Sequence, residues 1–413
     1  MTERQRAEIA VIGGGVVGMT IALRLARAGR EVVLIEPGVP GMGASFGNAG
    51  TIADYAVMPV GTPSVLRSLP SLLFDRNSPL AIRRAAILSL APWLLRFLRE
   101  SLPDRARANA AALANLLADA TPLWLDLAAE VGATDLLRRS GALYVYDSTQ
   151  AVQDARADMA ARRALGVAVE LVDAATLATM EPRLPPAAGG AFFPQAVFLS
   201  DPGQMMTRLA AAVAAAGVVH LQTRADRLER GPRGVRLTGP GLDLTATRVV
   251  IAAGARSRDL ARQAGDRVPL DTERGYHLEW DMAEPLLGRP CCPTRLGFYL
   301  CPMAGRLRAA GTVELGGLTA PPSPHRLARL EQGVRSVFPD LPPPDRSWMG
   351  FRPSMPDSLP VIGPSQAGAE VIHAYGHGHI GVTLAPATAR LVEAVIAGNH
   401  ADPGLSPLCP GRF

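Results

Sequence analysis

Gly13, Gly15 and Gly18 lie at the end of one apolar run, and Glu36 ends the next, in "IAVIGGGVVGMTIALRLARAGREVVLIEP". These residue types at this spacing suit phosphate and ribose chemistry. Gly13 permits a tight turn, Gly15 lets backbone approach a pyrophosphate, and Gly18 lets helix and strand pack closely. Gly14, Val16 and Val17 then offer N–H groups at the positive end of a helix dipole. Glu36, followed by Pro37, can accept hydrogen bonds from both ribose hydroxyls and repels a 2′-phosphate. The glycine pattern alone is weak. Here it follows a strand, opens a helix and has its acid within one βαβ unit, which predicts dinucleotide binding.

A second set lies near the C-terminus. Gly376, His377, Gly378, His379, Gly381, Val382 and Thr383 in "GHGHIGVT" form another glycine-rich loop that opens onto a helix. Its dipole would favour a ring that becomes anionic on reduction, as a flavin does and a nicotinamide does not. Two such loops at opposite ends of the chain suggest an extended cofactor. His377 and His379 are either hydrogen-bond partners of flavin or substrate, with His379 the substrate-binding candidate, or satisfied structural histidines; neither is assigned as a base. Arg352 sits in the otherwise uncharged "FRPSMP", five residues before Asp357. A guanidinium fork binds both oxygens of a carboxylate at once. The plain alternative is an ion pair with Asp357. Tyr276 opens an extended run, either as a hydroxyl at the site or as a half-buried strand aromatic, and His277 should face the other way.

The elements that must position these groups are legible in outline. Residues 8–12 read as a buried strand and 16–28 as a helix. Asp201 reads as a helix cap, and a later strand carries Ala225 toward an adenine. The strand Arg248–Ala252 runs into Ala253 and Gly254, whose small size lets backbone pass close to a nucleotide. With 413 residues and 48% hydrophobic content, the chain suits two domains. All 42 basic residues are arginine and the net charge is +5. The arginines are dispersed, so no nucleic-acid surface is expected. Cys291, Cys292, Cys301 and Cys409 form no CxxC pair, so no metal site is expected and a reducing cytosol is the simplest setting. The strand predicted from Glu8 leaves no room before it for a signal peptide. Val371–Ala389 lacks charge but holds three histidines and Pro386, which argues against a membrane span. Residues 78–101 read as an amphipathic helix pair broken at Pro92, covering a core; the alternative is a surface that touches a bilayer.

On "GASFGNAG" (43–50), "FLSDPGQMMTRLA" (198–210), "RGYHLEW" (274–280), "FRPSMPDSLPVIG" (351–363) and "GHGHIGVT" (376–383), the chain resembles the glycine/D-amino-acid oxidase family of FAD proteins, closest to its D-amino-acid dehydrogenases of the small-subunit type. The resemblance spans essentially the whole chain. It implies an α/β fold: a Rossmann-like, glutathione-reductase-like FAD-binding domain at 1–60, 155–260 and 345–413. A second α+β substrate domain, 61–154 and 261–344, would be built on a mixed or antiparallel sheet. It implies that Ser45, Asn48, Ala49, Gly50 and Thr51 run along the pyrophosphate, ribityl chain and flavin edge, with Ser45 also near substrate. It implies that Arg352 binds the substrate carboxylate, assisted by Tyr276. A small D-amino or cyclic D-imino acid, with a D-proline or D-hydroxyproline type among the candidates, would give its Cα hydride to flavin N5. The resulting imino acid hydrolyses to a 2-oxo acid or persists as a cyclic imine.

Related amine oxidases use a lysine to activate oxygen and a cysteine to tether the flavin. This chain has no lysine, and Gly350 stands at the tether position. The resemblance therefore implies non-covalent FAD and electron transfer to a quinone or another carrier. The setting would be cytoplasmic, with peripheral contact on the inner face of the membrane through 78–101. Rival expectations are an oxygen-using oxidase, a non-catalytic FAD electron-transfer subunit, and an NAD-linked reductase; only one complete GxGxxG with its acid counts against the last.

Overall fold

A computed structural model describes residues 5–66, 80–83, 86–399 and 404–413. The first apolar run forms the strand Gln5–Ile12. Ile9 and Val11 enter one core, while Ala10 and Ile12 enter another. Successive strand residues point to opposite faces, so a strand covered on both sides reads as an unbroken apolar run. Val32–Ile35 and then Val219–Leu221 lie parallel on one edge of it, and Leu242–Ile251 lies parallel on the other. Leu242–Ile251 carries two further partners: Gly234–Gly239, antiparallel to its first half, and Gly368–Tyr375, parallel to its last residues. Arg227–Gly231 and Val361–Ser365 complete this first, eight-stranded sheet.

The helix Val16–Arg27 packs beside Pro202–Ala215 and Gly381–Ile396 over one face. Asp201 caps Pro202–Ala215, accepting from Gln204 N at 3.0 Å. Two glycines are dictated by contact. A Cβ on Gly13, which holds φ +109°, would stand 2.4 Å from the Ala252 carbonyl oxygen. A Cβ on Gly18 would stand 1.9 Å from the Gly13 carbonyl oxygen. Helix and strand therefore meet backbone to backbone.

The second sheet is mixed and nine-stranded. One end of it runs Arg346–Ser354, Asp271–Asp281, Arg306–Leu315 and Phe298–Met303, all antiparallel neighbours. The helix Pro324–Val337 covers one face, where Leu330 and Val334 pack with Tyr276, Leu278 and Trp280.

Membership differs from the expected boundaries. Glu170–Asp173, Gly189–Phe193 and Arg346–Ser354, expected in the first domain, pair into the second sheet. Pro103–Leu117 and Ala120–Glu130, expected in the second domain, place Leu113, Leu117 and Trp124 in the core beneath Gly381–Ile396. An apolar stripe states that an element is covered, not by what.

The 78–101 segment also departs from expectation; residues 78, 79, 84 and 85 lie outside the described residues. Leu80–Ile82 is a strand beside Arg306–Leu315. Ile87–Glu100 is one helix that continues through Pro92. The missing proline N–H would have served the carbonyl of Leu88, which is 89% exposed and open to water. Leu90, Trp93 and Phe97 face inward, while Leu95, Arg96 and Arg99 face solvent.

Gly18→Ala should destabilise by about 2 kcal/mol or more, because the methyl forces helix from strand. Gly43→Ala, where a Cβ meets nothing within 4 Å, should stay within about 0.5 kcal/mol of the parent. Urea unfolding of both variants checks the contrast.

Candidate active site

A cavity of about 1170 Å³ runs from the glycine turn to the second sheet. At its first end the helix Val16–Arg27 begins with no acidic residue in its opening turn. A Cβ on Gly15 would meet only Ser45 Oγ, at 3.5 Å, so bare backbone faces the cavity. Val16, Val17 and Pro37 line the same wall. Ser45 Oγ accepts from Val16 N at 2.9 Å, capping the helix from a distant loop. Glu36 accepts from Gly14 N at 2.8 Å and Gly38 N at 3.0 Å, yet still lines the cavity. Asn48 shapes its own loop: its amide donates to Ser45 O and its Oδ1 accepts from Gly50 N at 2.5 Å. Ala49, Thr51, Ala225, Ala253 and Gly254 line the wall.

Five expected cavity residues stand behind that wall instead: Gly14, Gly18, Gly50, Gly376 and Thr383. Their work is structural. Gly50 holds φ +74° where a Cβ would stand 2.7 Å from the Leu199 carbonyl oxygen. Gly376, at φ +85°, turns the chain beside Met355. Thr383 Oγ1 accepts from Ala53 N at 3.0 Å.

The C-terminal loop reaches the cavity through His377, Gly378, His379, Gly381 and Val382. His377 is buried, and its Nε2 pairs with Thr388 Oγ1 at 2.9 Å. Burial holds its pKa down to about 3, so the ring is a neutral structural partner. The His379 ring has no hydrogen-bond partner among the described residues, and its exposed surface lies on the cavity. Burial within the protein, then the nearby Arg352, hold its pKa down to about 4.

Arg352 stands on the far wall. Its Nη1 donates to Thr312 O at 3.2 Å. No carboxylate of the described residues comes within ion-pair distance of it, and burial depresses its pKa while Glu273 opposes that shift. Asp357, the alternative partner, is held by Arg412 at 2.7 Å.

Tyr276 does not join Arg352. The register pairs Glu273 with Arg352 and His277 with Trp348, so odd-numbered residues of Asp271–Asp281 share the face of Arg352. Tyr276 points the other way, under the helix Pro324–Val337. Its hydroxyl donates to Glu314 Oε2 at 2.6 Å and accepts from Ser323 N at 3.1 Å. His277 takes the inner face: its Nδ1 pairs with Gly47 O at 2.9 Å and its ring stacks on Trp348. The apolar alternation Tyr276–Leu278–Trp280 was the available signal.

Two further groups emerge only in three dimensions. Tyr55, Tyr144 and Tyr299 line the cavity with their hydroxyls joined through Tyr299, 3.3 Å to each neighbour. Burial raises all three pKa values, so the phenols stay protonated. Arg308, fully buried, donates to Asn48 O at 2.5 Å and Phe46 O at 3.3 Å, tying the 43–50 loop to the second sheet. Glu279 balances it at 2.6 Å and also accepts from Arg306 and Arg346.

The family described as "DAO: FAD dependent oxidoreductase" matches residues 8–394. The chain belongs to that family. Its cofactor is FAD, and it is an oxidoreductase. A protein of Bradyrhizobium diazoefficiens named D-amino-acid oxidase is 35% identical, over 98% of this chain and 98% of that one. A protein of Rhizobium johnstonii named D-amino acid dehydrogenase is 28% identical, over 98% of this chain and 100% of that one. Glycine oxidase from Geobacillus kaustophilus shares the fold with a TM-score of 0.77, at 24% identity over 99% of each chain.

The residues present fit FAD. The cavity exceeds the roughly 300–1,000 Å³ of a single small-ligand pocket. It offers bare glycine backbone at one helix start, an acid at a strand end, and a second helix, Gly381–Ile396, whose first turn also lacks acid.

Burial pushes the Glu279 pKa up, but Arg308, Arg346 and Arg306 pull it down to about 2. A depressed carboxyl stabilises the fold above its unfolded value, near 4.5, and that contribution fades as pH falls toward 2. Glu279→Gln leaves Arg308 buried without its counter-ion and should cost about 3–5 kcal/mol. The variant should also retain less FAD and lose part of the parent's stability slope between about pH 4.5 and about pH 2, the interval between the unfolded and folded values. Urea unfolding against pH, with bound FAD measured by absorbance, checks all three.

Proposed function

We propose that the chain oxidises small D-amino acids or cyclic D-imino acids at Cα and passes the electrons to a quinone or another carrier. One observation carries the reading. Arg352 is a guanidinium within the protein, on the cavity wall; among the described residues it has a single hydrogen bond and no carboxylate at ion-pair distance. A charge in that setting is costly unless a ligand completes it. A substrate carboxylate matches the two-toothed geometry of its fork. The names of the two bacterial relatives support an amino-acid substrate of D configuration.

In this reading the carboxylate docks on Arg352. His379, held neutral, adds no second cation beside it and is free to accept a hydrogen bond from the substrate amine. Ser45, Asn48, Ala49 and Thr51 flank the cofactor, with Glu36 at the ribose. Tyr276 takes no part in this clamp: its hydroxyl is held by Glu314 on the other face of the sheet. FAD, when bound, would supply the two-electron oxidising chemistry at Cα. The protein's own part is orientation: a fixed carboxylate and a neutral amine leave Cα as the reacting centre.

The absence of lysine supports a carrier other than oxygen. Exposed Leu88 and Leu95, interleaved with exposed Arg96 and Arg99, support contact of the 78–101 segment with an anionic bilayer where quinone resides. The 35% identical relative named an oxidase favours a second reading, with oxygen as acceptor.

Arg352→Ala should raise KM by about 100-fold, the scale of a lost bidentate charge-assisted contact, with FAD content unchanged. An unchanged KM removes Arg352 from the clamp. In aerobic turnover, hydrogen peroxide should fall far short of substrate consumed; equal amounts assign the electrons to oxygen.

A further inference from the structure

We propose that Gly275 and Thr312 form a built seat for the Arg352 guanidinium and so set where a carboxylate binds. The inference rests on the clamp role of Arg352 proposed above, and adds the residues that place it. Arg352 reaches over its neighbouring strand, where Gly275 pairs with Gly350 two residues along. A Cβ on Gly275 would stand 2.6 Å from Arg352 Nη2, 2.7 Å from Cζ and 2.9 Å from Nε. Three guanidinium atoms at nearly equal distances mean that the plane lies flat on the bare Cα. Gly275 is not among the glycines with positive φ. Its backbone therefore needs no glycine, and a mid-strand glycine weakens a sheet. The space it leaves under Arg352 is the reason for it.

The strand on the other side supplies the edge of the seat. Arg274 pairs with Glu314 but Tyr276 pairs with Gly311, so Thr312 and Val313 together oppose Gly275 in a β-bulge. Thr312 sits in this bulge at φ +57°, left-handed backbone that a β-branched residue adopts only under constraint. That turn directs its carbonyl to Arg352 Nη1 at 3.2 Å. One flat support and one edge acceptor fix the fork and leave its other donors to the cavity, which Gly275, Thr312 and Arg352 all line. Glu273 stands directly across from Arg352 on the same face but stays beyond ion-pair distance, so it does not draw the guanidinium away.

Gly275 and Thr312 are thus positioning residues, and chemical rescue tests them. In the FAD-loaded Arg352→Ala enzyme, guanidinium chloride at concentrations far below denaturing should lower KM, because the free ion takes the vacated seat. In the Arg352→Ala, Gly275→Ala double variant, which has no arginine to clash with, the methyl fills the seat and rescue should vanish. Gly275→Ala alone should raise KM by about 30-fold, as expected for misplacing a charged hydrogen bond, with FAD content retained. Rescue that persists in the double variant, or an unchanged KM in Gly275→Ala, overturns the seat while leaving the clamp intact. An unchanged KM in Arg352→Ala instead overturns the clamp itself.

Discussion

A buried ion cluster holds the two halves of the cavity in register. Glu279 draws Arg308, Arg306 and Arg346 together on the inner face of the second sheet, and Arg308 in turn grips the carbonyls of Phe46 and Asn48. Those carbonyls belong to the loop whose Ser45 caps the first helix. One charge network thereby links the glycine-turn end of the cavity to the strand system that carries Arg352. Buried ion pairs of this kind contribute little net stability over an apolar core, but breaking one partner is severe. Their value here is geometric: the 43–50 loop cannot move without unpairing a fully buried arginine.

With that relation fixed, the reacting end is a study in which charges are completed and which are not. Asp357 has Arg412, Glu314 has Arg274 and Arg83, and Asp266 has His373. Among the described residues Arg352 has a carbonyl, that of Thr312, and no carboxylate. The imidazoles nearest the cavity stay neutral, through burial, and the phenols stay protonated. In the proposed reading Arg352 would select a small anion-bearing zwitterion by electrostatics, and the redox chemistry would fall to FAD.

The first βαβ unit was legible because every part of its signal is local: an unbroken apolar run, glycines at contact points and an acid at the next strand end. Asp201 was legible as a cap for the same reason. The Tyr276–His277 pair was not, since which face of a strand is inner depends on the helix at Pro324–Val337, far along the chain. The same limit explains Pro103–Leu117, whose stripe covers the first domain's core, and Ile87–Glu100, where an exposed carbonyl lets the helix pass a proline. Tyr55, Tyr144 and Tyr299 carry no shared motif, and the bulge at Thr312 is a property of strand register that no single strand reveals.

Anaerobic mixing of the FAD-loaded protein with a panel of D- and L-amino acids, D-proline included, tests the central claim most directly. Loss of flavin absorbance with small neutral D-amino or D-imino acids, and not with their L forms, is the predicted result. A flavin that stays oxidised with every member of the panel, while dithionite still reduces it, would contradict the account.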